Sequence, residues 1–135
     1  MIVVDTNVVV HLITDGRETT DASALFREDD EWAAPRILMS EFRNVLVGML
    51  RSGAVTSNRA KVMSDRAAAI LGDRITPVDS AHVLDVAIEC GLSAYDAEFV
   101  ALARTLGVQL VTLDGEILEG AADVAVRPRA FLDAT

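Results

Sequence analysis

Four acidic residues occupy positions where a carboxylate could do chemical work. Asp5 directly follows the apolar run 1–4, and Asp114 directly follows the run 108–113. Both runs are short, apolar and rich in β-branched residues, so each reads as a buried strand with an acid at its carboxyl end. Asp96 falls in the first turn of a helix opened by Ser93. Glu41 falls inside an amphipathic stretch over residues 36–52, three residues after Leu38 and four before Val45. That spacing puts Glu41 on or beside the apolar stripe, where a carboxylate is costly unless it is paired or binds a metal. Four carboxylates gathered at one place cannot all stay ionised without compensation, so protons or a cation must enter. An all-oxygen set without His or Cys favours a hard ion, Mg2+ or Mn2+, over zinc.

Taken singly, each acid also has an ordinary explanation. Asp5 can cap a first helix, Ser93-Ala94-Tyr95-Asp96 satisfies a capping box, Asp114-Gly115 is a common turn dipeptide, and Glu41 can reach solvent from the edge of its stripe. Their weight comes from the elements that must position them together. After the strand over 1–4, Thr6-Asn7 supplies capping chemistry for a helix that stops at Asp15-Gly16, and a weaker helix covers about 19–28. A short strand at 32–34, closed by Pro35, precedes the 36–52 helix. A helix over 57–71 is capped by Thr56 and stopped by Gly72. A strand over 74–78 is followed by helices from Asp79 to Cys90 and from Ser93 to Leu106, each ended by a glycine. The strand 108–113, a helical turn at 116–119 and a last strand at 124–126 complete the pattern. Strands alternating with helices imply parallel pairing through right-handed crossovers, hence a three-layer α/β/α domain with a mostly parallel central sheet. In such sheets ligands bind outside the carboxyl ends of the strands. Asp5 and Asp114 are therefore expected at one edge.

Bulk properties set the frame. The chain has 135 residues, enough for one domain, and 51% are hydrophobic, so a core can form. No apolar run approaches the roughly 20 residues that span a bilayer. The N-terminus has no basic segment or small-residue cleavage site, and Cys90 is the only cysteine. Both point to a cytoplasmic protein without disulfides. The net charge of −9 opposes a simple nucleic-acid binder, which usually presents a basic face. Runs such as Glu28-Asp29-Asp30-Glu31 read as solvated loop. Arg17 and Arg43 are candidate phosphate contacts. His11 and His82 read as packed residues, and Trp32 and Tyr95 are too few for a base-stacking platform.

Val4-Asp5-Thr6-Asn7-Val8, Ser40-Glu41-Phe42-Arg43-Asn44-Val45, Tyr95-Asp96-Ala97-Glu98-Phe99-Val100 and Val111-Thr112-Leu113-Asp114 occur in that order over nearly the whole chain. Together they resemble the four acidic motifs of PIN domains, and the short single-domain form is similar to VapC-type toxins of bacterial toxin–antitoxin pairs. The resemblance implies a single PIN-like domain over 1–135. It implies that Asp5, Glu41, Asp96 and Asp114 are catalytic, metal-binding carboxylates for Mg2+ or Mn2+. Thr112 would steady the last acid or a metal-held water, Asn7 would brace the first motif, and Glu116 is an auxiliary candidate. The activity implied is endoribonuclease cleavage to a 5′-phosphate and a 3′-hydroxyl, with RNA as substrate. The partners implied are a VapB-like antitoxin, whose arginine would suit the acidic cleft, and a second copy in a homodimer.

Three other readings compete. An aspartyl-phosphate phosphatase wants a second Asp where this chain has Asn7, and a receiver domain wants an acidic pair before its strand-end Asp and a Lys near the C-terminus; these features are absent. A housekeeping RNA-processing PIN nuclease usually has a longer chain or added motifs. A catalytically silent PIN-fold binding module would have lost one or more of the four acids.

Overall fold

The computed structural model describes residues 1–14 and 19–135. The expected helix stop at Asp15-Gly16 and the candidate phosphate contact Arg17 lie outside them. Five strands, β1 (Ile2–Val4), β2 (Trp32–Pro35), β3 (Ile75–Thr76), β4 (Leu110–Val111) and β5 (Ala125–Val126), form one sheet in the order β3-β2-β1-β4-β5. Every pairing is parallel, with Ile2 opposite Trp32 and Val3 opposite Leu110. Strands so short need burial on both faces to persist, and β1, β2 and β4 are buried throughout.

Helices α1 (Thr6–Ile13), α2 (Thr19–Glu28), α3 (Ile37–Arg51) and α4 (Ser57–Leu71) connect β1 to β2 and β2 to β3. They pack on one another, and α3 and α4 also reach β2. Helices α5 (Ser80–Cys90) and α6 (Ala94–Leu106) pair closely, and α6 lies across β1, β2 and β4. The connection through α5 and α6 carries the chain from the β3 edge back past β2 and β1 to β4. With right-handed crossovers, that reversal places α5 and α6 on the opposite face from α1–α4. The three-layer α/β/α architecture stands, and its sheet is parallel throughout. The strand order reverses between β1 and β4, which is where an open parallel sheet leaves a crevice at its carboxyl edge.

The expected boundaries hold for most helices. Thr56, Asp79 and Ser93 cap α4, α5 and α6 by accepting backbone N–H bonds, and Gly91 and Gly107 end α5 and α6 in the left-handed conformation. Helix α1 begins earlier than expected, because Asp5 is its cap and Thr6 its first residue. The strand expected at 74–78 is cut to Ile75–Thr76. Arg74 closes a 3-10 turn over Gly72–Arg74 and donates to the Ile70 and Trp32 carbonyls, and Pro77 cannot extend the ladder. The strand expected at 108–113 pairs as a strand only over Leu110–Val111, opposite a three-residue β1. After β5 the chain forms a further helix, α8 (Pro128–Asp133), which packs on α2. It is too short for periodicity to reveal, although Pro128 at its start is the usual signal.

Candidate metal-dependent active site

The site begins with β1. Its last residue, Val4, is fully buried, and Asp5 follows with its backbone N–H donating to the Val111 carbonyl of β4. Asp5 is only 7% exposed, yet both its oxygens have donors. The Thr6 backbone N–H donates to Oδ1 at 2.7 Å and the Thr112 hydroxyl donates to Oδ2 at 2.7 Å. Such short bonds to a carboxylate are the strong, charge-assisted kind, and they are what makes this burial tolerable. Burial raises the Asp5 carboxyl above its ordinary value. The bonds from Thr112 and Thr6 oppose that rise, while the charge of Asp114 adds to it.

Thr112 is fully buried one residue beyond β4 and does two jobs. Its hydroxyl donates to Asp5 and accepts the Asp114 backbone N–H at 3.0 Å. The last acid is thereby held through its backbone, and the carboxylate that Thr112 orients directly is the first one. The Asp114 side chain caps α7 (Gly115–Gly120), where Oδ1 accepts from the Glu116 and Ile117 N–H groups.

Glu41 comes from α3. Leu38, Phe42 and Leu46 form the buried stripe of that helix, and Glu41 flanks it, half-buried. Its Oε1 accepts the Thr6 hydroxyl at 2.7 Å. Burial raises its carboxyl, the Thr6 bond opposes the rise, and the charge of Asp5 adds to it. Asp96 stands in the first turn of α6, where its backbone N–H bonds the Ser93 hydroxyl. Burial, and then the charges of Asp114, Asp5, Glu41 and Glu116, push its carboxyl from 3.8 up to about 6.

The fold thus brings Asp5, Glu41, Asp96 and Asp114 into one electrostatic unit. No cation is among the causes acting on Asp5, Glu41 or Asp96. Among the described residues, no group of three or more acidic, His or Cys side chains is close enough together to hold a metal ion by itself. The donors are all oxygens, and they repel one another with no cation acting on them. That combination fits a magnesium-like ion, which keeps several waters and takes only one or two carboxylates directly.

The sequence of this chain matches the PIN domain family over residues 2–123. The chain belongs to the PIN domain family. PIN domains are generally nucleases. A search of curated proteins finds no match. Among solved structures, this PIN domain is similar to PAE2754 from Pyrobaculum aerophilum, with a TM-score of 0.77 and 22% identity over 98% of this chain and 87% of that one. It is also similar to FitAcB from Neisseria gonorrhoeae, with a TM-score of 0.74 and 20% identity over 96% and 99% of the two chains. A chain of a toxin–antitoxin complex from Klebsiella pneumoniae has a TM-score of 0.70 and 20% identity, over 95% and 98%. At these identities the likeness is one of fold.

Within the PIN domain, the other candidates fall into place differently. Asn7 is exposed, and the bonds that brace Asp5 come from Thr6 and Thr112 instead. Glu116 is exposed at the start of α7, with its charge felt at Asp96. Arg43 is exposed and donates to Ser40. Trp32 is fully buried, edge-on to Phe26 with ring centroids 5.2 Å apart, and is unavailable to a base. Two residues escaped sequence reasoning. Thr6 was legible only as capping chemistry, and Glu98, half-buried, is raised by burial and by Glu41. The one signal for Glu98 is its place two residues after Asp96 on the same helix. No helix among the described residues is long and apolar enough to cross a membrane.

Proposed function

We propose that this PIN domain is a metal-dependent endoribonuclease and the toxin of a VapBC-type toxin–antitoxin pair. The observation that carries the catalytic reading is the gathering of four acids at one edge, where Thr6 bonds both Asp5 and Glu41, Thr112 bonds Asp5 and the Asp114 N–H, and Asp96 feels the charge of the other three with no basic side chain acting on it. Such a site is poised to take a divalent cation, Mg2+ or Mn2+, and Asp5, Glu41, Asp96 and Asp114 are the residues that would hold it or its waters. When bound, the ion supplies an activated water and neutralises charge on a phosphodiester's leaving oxygen. The chain's own part is positioning. Thr6 and Thr112 fix the two oxygens of Asp5, α7 presents Asp114 from its cap, and the α6 N-terminus presents Asp96. With the ion in place the acidic cleft no longer repels phosphate, so the net charge of −9 is compatible with an RNA substrate.

The toxin role is supported by the kinds of protein that share this fold. One similar structure is a toxin–antitoxin complex and another is FitAB bound to a DNA fragment. The partner is then a VapB-like antitoxin whose arginine enters the acidic cleft, a charge-assisted match for several carboxylates. A homodimer is the expected assembly, and the exposed Leu84, Ile88 and Tyr95 offer apolar surface for a protein contact.

The test is cleavage of structured and single-stranded RNA by the purified protein with Mg2+ or Mn2+, beside EDTA and Asp5→Asn. Cleavage is expected only with metal, and the variant should lose it by at least two orders of magnitude. If the folded, metal-loaded protein cuts no RNA and the variant behaves identically, catalysis is abandoned and the silent binding module takes its place.

A further inference from the structure

Thr6 bonds two of the acids at once, through two different groups. Its backbone N–H donates to Asp5 Oδ1 and its hydroxyl donates to Glu41 Oε1, both at 2.7 Å. The first bond is local, whereas the second spans 35 residues to another helix. Thr6 is 6% exposed in the first turn of α1, so packing fixes where its hydroxyl points. A β-branched side chain in a helix also has few χ1 states. Glu41, by contrast, is half-buried and has a long side chain with rotamer freedom to lose. Among the hydrogen bonds of the described residues, Thr6 supplies the one that holds its carboxylate. Of the pair, the buried threonine has fewer conformations open to it than the longer, half-buried acid.

We infer that Thr6 is a positioning residue that sets the Glu41 carboxylate against Asp5 for the divalent cation. The inference rests on the metal-site reading above. The link continues beyond Thr6. Asp5 Oδ2 accepts the Thr112 hydroxyl, which in turn accepts the Asp114 N–H, so linked hydrogen bonds run from α3 through the start of α1 and the end of β4 to the start of α7. Among the described residues, Thr6 is their connection to Glu41, and without this bond the half-buried side chain has other rotamers open to it. Bonds of this kind, one step removed from the ion, typically govern affinity by 10–100-fold.

The experiment measures Mn2+ binding to the full chain by electron paramagnetic resonance of the free ion, with no RNA present. The variants are Thr6→Val, which keeps shape and removes the hydroxyl, Thr6→Ala as a second deletion, and Thr6→Ser, which restores the donor. Each is also placed in a Glu41→Gln background, with folding checked by circular dichroism. Thr6→Val is expected to weaken Mn2+ binding about tenfold, with Thr6→Ser within about twofold of the parent. In the Glu41→Gln background, Thr6→Val should add almost nothing, because the acid it positions has gone. Equal weakening in both backgrounds would mean that Thr6 acts through general packing, and the inference falls. Binding at parental strength in Thr6→Val and Thr6→Ala, with Glu41→Gln weakened, also overturns it and leaves the metal site standing. Failure of the parent protein itself to bind Mn2+ removes both.

Discussion

At neutral pH the Asp96 carboxylate must ionise against Asp114, Asp5, Glu41 and Glu116 together. A folded-state value near 6, above the ordinary 3.8, means that the folded protein holds this proton more tightly than the unfolded chain. The corresponding stability is fully present below pH 3.8 and is lost as pH rises through about 6. Asp96→Asn removes the penalty. In metal-free protein at pH 7.5 it should therefore stabilise by about 1 kcal/mol, a figure discounted for the partial exposure of the group. By pH 4 the gain should have largely gone, and urea titrations at the two pH values check both statements. Asp5, Asp96 and Asp114 were legible because each lies where an element closes or opens, and Glu41 because it sits beside the apolar stripe of a long helix. The two bonds that orient Asp5 and Glu41 were not. A threonine hydroxyl chooses its acceptor by tertiary proximity, and nothing in the local pattern around Thr6 marks a partner 35 residues away. Thr112 was expected to steady the last acid or a metal-held water; its hydroxyl does accept the Asp114 N–H, and what the local pattern did not mark is that its proton goes to Asp5.

Among the described helices, α7 is as short as α8 and closely seated against α5. It spans six residues, with Asp114 capping one end and Gly120 at the other. A Cβ on Gly120 would lie 2.4 Å from the Cys90 carbonyl oxygen at the end of α5. That atom is backbone and cannot swing aside. Gly120→Ala should thus force α7 away from α5, costing about 1–3 kcal/mol as overpacking does, and it should carry Asp114 out of place. Thermal denaturation reads the first effect and Mn2+ binding the second. Unchanged Mn2+ affinity in a destabilised variant would show that α7 can shift without moving its cap. The sequence marked α7 only as a helical turn because six residues give no period to detect. It missed α8 for the same reason, and it overran β3 because the Arg74 turn depends on carbonyls at residues 70 and 32. The long helices were found because α3, α4 and α6 span 13 to 15 residues, α4 and α6 with clear caps and α3 with a regular apolar stripe.

For the whole molecule, charge is the governing quantity. A net −9 on 135 residues leaves a surface of self-repulsion, which added salt screens in a general way. A bound divalent ion acts differently, because it stabilises by mass action at one place. At 100-fold excess over its dissociation constant it contributes about 2.7 kcal/mol, which for a domain of this size is on the order of 8 °C in Tm. Mn2+ should therefore raise Tm at pH 7.5 well beyond what KCl of equal ionic strength achieves. The rise should shrink at pH 5, where Asp96 keeps its proton and the ion must displace it. A KCl effect as large as that of Mn2+ would assign the stabilisation to diffuse screening and count against a discrete site. Fold class was readable at this scale, since the alternation of strands and helices leaves few topologies open. The sheet order was not readable, because it depends on which crossover returns past β1.

That return has a consequence for how the protein comes into being. β1 leaves the ribosome first, yet the strand that completes its pairing and the hydroxyl that completes Asp5 arrive 107 residues later. Contacts of such high sequence separation form late. A growing chain carries Asp5 and Glu41 for most of the synthesis of these 135 residues with no common edge to hold them, and Asp96 joins them late. The acidic centre is assembled only once Thr112 and Asp114 have been made, so a chain halted before them has three of the acids without the geometry.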